Sequence, residues 1–202
     1  MLKPTSFLLL LLSFTALGKS QIIWTDPAFP TQDDNVMLYY NSNLGSGGLA
    51  GVIPVYIHTG VITSASIGPS DWQHVQTNWG TADPNAVMNP EGGGLHSFDF
   101  GGQTLAEFYG LNTGETIESL AMVFRNVNGS LEGKNSDGSD IFYSISDGSF
   151  SASFLTPESG SALLNLGESL NVQGLASESA DLELFVNGSS VATNAGTALN
   201  YT

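Results

Sequence analysis

Apolar segments in this chain are short, alternate with polar residues, and are cut at close intervals by Gly, Asn, Asp, Ser and Pro. That pattern constrains the fold most. A surface helix needs apolar residues at a period near 3.6, whereas a half-buried strand needs a period of two. The sequence predicts strands at Asn35–Asn41, Ile53–Ile62, Trp72–Asn78, Leu95–Gly101, Glu118–Asn126 and Asp140–Ser146, with a short one at Ala86–Met88. Asn128-Gly129, Asp137-Gly138, Asp147-Gly148 and Asn187-Gly188 take positive φ at low cost, as tight hairpins require. One helix interrupts the strands. In TLAEFYG, Thr104 and Glu107 have the spacing of a capping box, and Gly110 stands where a helix stops. The expectation is an all-β, antiparallel sandwich with one or two helical turns across an end.

Three parts are expected along the chain. In residues 1–20, Lys3 precedes a leucine-rich run from Phe7 to Leu17, and Gly18-Lys19-Ser20 offers small residues at a cleavage site. The run is shorter than the roughly 20 residues a bilayer span takes, so it reads as a removed secretory signal with a mature start at Gln21. Residues 21–148 form the first β-sandwich unit. From Ser149 the grammar changes, with no Trp, His, Lys or Arg and an excess of Ser, Ala and Leu. Strands at Ser169–Gly174 and Asp181–Val186, followed by Asn187-Gly188, resemble the first half of a bacterial immunoglobulin-like domain. Such a domain takes about 100 residues and seven strands, so 149–202 reads as an incomplete one.

Composition excludes several functions. With no cysteine there are no disulfides, thiolate metal sites or cysteine nucleophiles. Once Lys3 and Lys19 leave with the signal, only Arg125 and Lys134 remain against 19 carboxylates, a formal charge of −17. Nothing is then available to neutralise phosphates, so nucleic acid and anionic membrane surfaces are not expected partners. Neutral ligands remain open. Asn135, Asp137 and Asp140 around Gly138 fail the EF-hand spacing, because the first-ligand position falls on Gly133 and the closing Glu is missing. They read as a solvated hairpin, with a ligand loop using Lys134 and Asp137 as the other reading. No metal, cofactor or catalytic residue is expected, since no Gly-x-Ser-x-Gly elbow, His-Glu-x-x-His helix, phosphate loop or marked carboxylate pair is present.

Strand alternation nominates one sheet face as a site. In PVYIHTG, Val55, Ile57 and Thr59 share one face and Tyr56 and His58 the other. In DWQHVQTNW, Trp72, His74, Gln76 and Asn78 share a face, with Val75 as the core residue opposite and Trp79 beside it or at the strand end. Leu120, Met122 and Phe124 read as core, with Arg125 facing away. Tyr56, His58, Trp72, His74, Gln76 and Asn78 then present aromatic rings among amides and imidazoles. Such a face suits a neutral sugar, whose C–H face stacks on a ring and whose hydroxyls need both donors and acceptors. Each tryptophan keeps two readings: a sugar platform, or packing under the Gly-rich loop of the 90s for Trp72 and in the core for Trp79.

The segments IIWTDPAFPTQDDNVMLYYN, GLAGVIPVYIHTGVIT, DWQHVQTNWG, LAEFYGL and LAMVFRNVNGSLEGKNSDGSDIFYSI occur in order over residues 21–146. Together they resemble the N-terminal module of secreted α-amylase-family glycoside hydrolases from Bacteroidetes-type bacteria, a small β-sandwich similar to starch-binding modules. The resemblance implies α-glucan binding, with Trp72 and Trp79 the best-matched aromatic positions and His58 near them, and a tethered catalytic barrel elsewhere in the parent enzyme. The chain departs from that pattern in holding no barrel, which alone takes roughly 250 residues. The expected function is therefore non-catalytic carbohydrate binding outside the cell. The alternative is a scaffold that packs Trp72 and Trp79 against the catalytic domain.

Overall fold

In a computed structural model that describes residues 21–157 and 164–202, the regular structure of the chain is chiefly antiparallel sheet, joined by long turns and irregular segments. The expected signal at 1–20 lies outside the described residues. The first sheet holds β1 (Ile23–Asp26), β2 (Met37–Asn41), β4 (Asn89–Gly92) and β5 (Leu95–Phe98) in the order β1-β2-β5-β4. The second is built on β3 (Tyr56–Thr63) and β6 (Ile117–Arg125). Two short strands share the far side of β6: β7 (Glu132–Gly133) pairs its last residues, and β8 (Ile141–Ser144) pairs Ser119–Met122.

The core lies between these two sheets. Leu38 and Tyr40 of β2 meet Ile57, Thr59 and Val61 of β3 and Leu120, Met122 and Phe124 of β6 in one buried cluster. The rings of Tyr40 and Phe124 stack at 3.7 Å. The alternation predicted for β3 and β6 is thus the observed one, and it turns Tyr56, His58 and Arg125 to the outer side of the second sheet.

The helix α1 (Leu105–Tyr109) has the predicted grammar. Thr104 Oγ1 accepts from Glu107 N, Glu107 Oε2 accepts from Thr104 N, and Gly110 stops the helix in the left-handed conformation. Leu105 and Tyr109 anchor it in the core. Three turns share one construction. In Asn128-Gly129-Ser130, Asp137-Gly138-Ser139 and Asp147-Gly148-Ser149, the Asx Oδ1 accepts from both the Ser N–H and the Ser hydroxyl. These side-chain bonds mimic a backbone turn. Of the four predicted turns, Asn187-Gly188 alone has positive φ at both residues, the type I′ geometry of a two-residue hairpin.

That hairpin joins β10 (Val172–Val186) to β11 (Ser189–Tyr201), and β9 (Ala152–Thr156) pairs the other side of β10. The two strands expected here are one long strand, whose register shifts between Leu175 and Ala180. Among the described residues after 149 there is this one three-stranded sheet.

The segment predicted as a strand at Trp72–Asn78 is not one. Only Gln73 pairs, in an isolated bridge with Val61, and His74 has φ of 52°. A left-handed residue ends the alternation, so Val75, expected in the core, is 45% exposed. The segment is instead a strap along the open edge of β3. Gln73 N donates to Val61 O, Gln73 O accepts from Val61 N, and Gln76 N donates to Thr59 O. Further along, Met88 N donates to Val55 O. The expected strand at Ala86–Met88 is a 3-10 turn at Pro84–Ala86 followed by an isolated bridge from Val87 to Tyr56. These contacts cover an edge that would otherwise template pairing with another chain.

Candidate functional site

The strap lays two tryptophans beside the outer face of β3. It can do so because position 60 has no side chain. A Cβ there would sit 2.9 Å from Gln73 O and 3.0 Å from a Val75 methyl. Across the sheet, Gly60 pairs with Ala121 and Ala121 with Phe142, a row that runs from small to large. Trp72, partly buried, touches both ends of the row. Its Cβ is in van der Waals range of position 60, and its ring meets Phe142 edge-on at 6.3 Å.

His58 stands at the centre of the cluster. Its ring stacks on Trp72 at 6.0 Å, meets Trp79 at 5.2 Å with the planes at 86°, and shares a 2.7 Å hydrogen bond from Nδ1 to Thr77 Oγ1. Burial pulls its pKa below the ordinary histidine value, the Arg125 charge adds to that, and Asp140 opposes it. His58 is therefore a neutral ring at pH 7, able to hold the two indoles without bringing a charge among them.

Arg125 is fully buried and, among the described residues, is in ion-pair contact with no carboxylate, the Asp83 charge acting on it only from a distance. Its Nη1 donates to the carbonyls of Asn126 and Val127, and its Nη2 to those of Thr81 at 2.7 Å and Asn78 at 3.5 Å. The guanidinium plane lies 5.1 Å from the ring of Tyr56 and 5.9 Å from that of Trp79. A guanidinium suits this position because its planar fork serves several carbonyls and rests on rings. It ties the end of the strap to the 126–131 hairpin. Gly129 of that hairpin completes the seat, since a Cβ at 129 would lie 2.6 Å from Trp79 Nε1.

The predicted site residues therefore separate. Trp72, Trp79 and His58 come together, with Trp79 the most open at 43% exposure. Tyr56 is on the same face but buried beneath Arg125. His74 turns away and bonds Glu115 Oε2 at 2.9 Å. Glu115 also accepts from Thr63 Oγ1 and from the backbone and side chain of Asn112. The Thr63 hydroxyl first, then His74 and Asn112, hold its carboxyl at about 2, well below the usual glutamate value. Gln76 points its amide at the carbonyls of His74 and Tyr109. Asn78 is exposed and contributes its carbonyl to Arg125.

Sequence reasoning missed Gly60, Phe142 and Gly129, whose roles depend on pairing across strands. It also missed a cleft of about 590 Å³ on the other side of the strap, lined by Thr59, Gln76, Thr77, Asn85, Asn89 and Gln103 among others. Their amides come from the strap, the Pro84–Ala86 turn, the first residue of β4 and the segment before α1, with no shared motif. Elsewhere, Lys134 reaches Glu132 at 3.1 Å and Asp140 at 3.4 Å, so the 133–140 hairpin carries ion pairs. Among the described residues no three His, Asp or Glu side chains cluster as a metal site, and no helix is long and apolar enough to cross a membrane. No known protein-family model matches the chain, and no curated protein matches it.

Proposed function

We propose that residues 21–148 are a secreted, non-catalytic carbohydrate-binding module for α-glucan, with the Trp79 ring as its stacking platform. The observation that carries this reading is the way Trp79 is held. It is propped by the His58 edge, the Arg125 guanidinium and the 129 backbone, yet 43% of it remains exposed. A rigid, half-open indole can stack on the C–H face of a pyranose with little ordering cost on the protein side. Trp72 braces that platform from within the strap. The formal charge of −17 for residues 21–202 leaves a neutral polymer as the compatible partner. The resemblance of residues 21–146 to amylase-associated modules supports the same class. In that reading the module concentrates a tethered glycoside hydrolase on its polymer, with 149–202 as a spacer.

A second reading has its own observation. Val75, Val127, Leu131 and Phe142 are each 40% exposed or more; Val75 lies against position 60 and Phe142 against Trp72, while Val127 and Leu131 belong to the hairpin whose Gly129 seats Trp79. Exposed apolar residues on the elements that hold the two indoles also suit packing against a neighbouring domain. Co-sedimentation of the purified protein with granular starch separates the two. Retention that soluble maltodextrin competes away supports the sugar site. A protein that stays in the supernatant at every starch load favours the scaffold.

A further inference from the structure

The cleft beyond the strap has a chemistry of its own. It opens between β3, the Pro84–Ala86 turn, the end of β5 and α1. Its floor rests on the buried Ile57 and Phe98 of the core, and the partly buried Phe108 presents an apolar ring at its side. Phe108 is fixed edge-on against Phe100 at 5.1 Å and Tyr109 at 5.0 Å. Its rim is made of uncharged polar groups. Asn85, Asn89 and Gln103 are exposed there, and their side chains hydrogen-bond no other described residue. Two carboxylates also line it, but each is engaged in a turn: Asp83 Oδ1 accepts from Asn85 N and Asp99 Oδ1 from Gly101 N, both at 2.9 Å. No Lys or Arg lines the cleft.

One apolar ring beside several exposed primary amides matches a ligand with C–H faces and many hydroxyls, because each amide both donates and accepts. Two nearby carboxylates and no cation work against an anionic ligand. The volume falls within the range of about 300–1,000 Å³ typical of small-molecule sites. We propose that this cleft is a second saccharide-binding site, taking a short run of a neutral α-glucan. The proposal rests on the reading of the protein as a glucan binder, but apart from Thr77 it uses no residue of the Trp79 platform. The two sites flank one strap, and Thr77 belongs to both: its hydroxyl bonds His58 on one side, and the residue lines the cleft on the other. One polymer strand engaging both would gain from the high effective concentration of the second contact.

The test is a titration of the ¹⁵N-labelled protein with maltohexaose, following the side-chain amides of Asn85, Asn89 and Gln103 and the indole N–H of Trp79. The expected result is saturable shifts at both sets. Combining Asn85→Ala with Asn89→Ala should abolish the remaining cleft shift, that of the Gln103 side-chain amide, or weaken its apparent Kd about tenfold, as loss of two hydrogen bonds implies, and leave the Trp79 shift in place. Both positions are exposed, so the fold is not at risk. Shifts confined to Trp79 overturn the cleft and leave the platform standing. Shifts confined to the cleft amides support the cleft and overturn the platform. No shift at either set overturns both.

Discussion

The guanidinium of Arg125 lies 5.9 Å from the centre of the Trp79 ring, buried, and held by backbone carbonyls rather than by a carboxylate. The one arginine of the described chain is thus spent on aiming an aromatic side chain. Replacing it tests that role. Arg125→Lys keeps the charge but cannot serve the carbonyls on both sides, so several acceptors lose their donor. These carbonyls belong to exposed or half-buried residues that water can reach, so the cost is that of lost hydrogen bonds, about 0.5–1.5 kcal/mol each, and a loss of about 1–3 kcal/mol is expected in urea unfolding. In the folded variant, Trp79 should become more accessible to acrylamide quenching.

Gly60 is where the strap meets the sheet. Gly60→Ala places a methyl against the Gln73 carbonyl, a backbone atom that cannot swing aside. Overpacking of this kind costs about 1–3 kcal/mol. The expected outcome is a lower unfolding midpoint, with faster hydrogen exchange at Val61 and Gln73, whose reciprocal bonds would be strained first.

Acid should weaken the fold in two stages. His58 has a folded-state pKa below its unfolded value, with burial as the leading cause, and His96 is lowered by burial too. The unfolded chain therefore binds more protons, and stability falls as pH drops below about 6.5, the unfolded histidine value. Glu115 is held at about 2 against 4.5. Its contribution is full above 4.5 and is lost as pH falls from there toward 2. Thermal unfolding from pH 8 to pH 2.5 should show both declines. His58→Gln should flatten the first, and Glu115→Gln the second.

The two tryptophans should separate experimentally. Trp72 is packed between the His58 ring and Phe142, so Trp72→Ala removes contacts from a partly buried site. Full burial of an aromatic is worth about 3–5 kcal/mol on truncation, and partial burial places the expected loss nearer 2 kcal/mol. Trp79→Ala should cost less in calorimetry, because nearly half of that ring is in solvent.

How much of this was legible in the sequence depends on range. The inner and outer faces of β3 and β6 followed from alternation alone, and the cap and stop of α1 from residues three to six apart. Legibility ended where one residue left the regular backbone. His74 in the left-handed region turned an apparent strand into a strap and moved Val75 from the expected core to the surface. The identity of a histidine does not announce that conformation; its bond to Glu115, 41 residues away, belongs to the tertiary structure. The same holds for the Gly60, Ala121 and Phe142 row, which exists only once three strands are in register. Likewise, the cleft amides of Asn85 in a 3-10 turn, Asn89 in β4 and Gln103 before α1 come to one cleft only through tertiary packing.

The most direct test of the platform is affinity electrophoresis in gels cast with soluble starch, comparing wild type with Trp79→Ala and confirming by calorimetry that the variant is folded. The prediction is retarded migration of the wild type and at least a tenfold weaker apparent affinity for Trp79→Ala. Equal retardation of the two proteins, or a wild type that migrates as it does without starch, would contradict it.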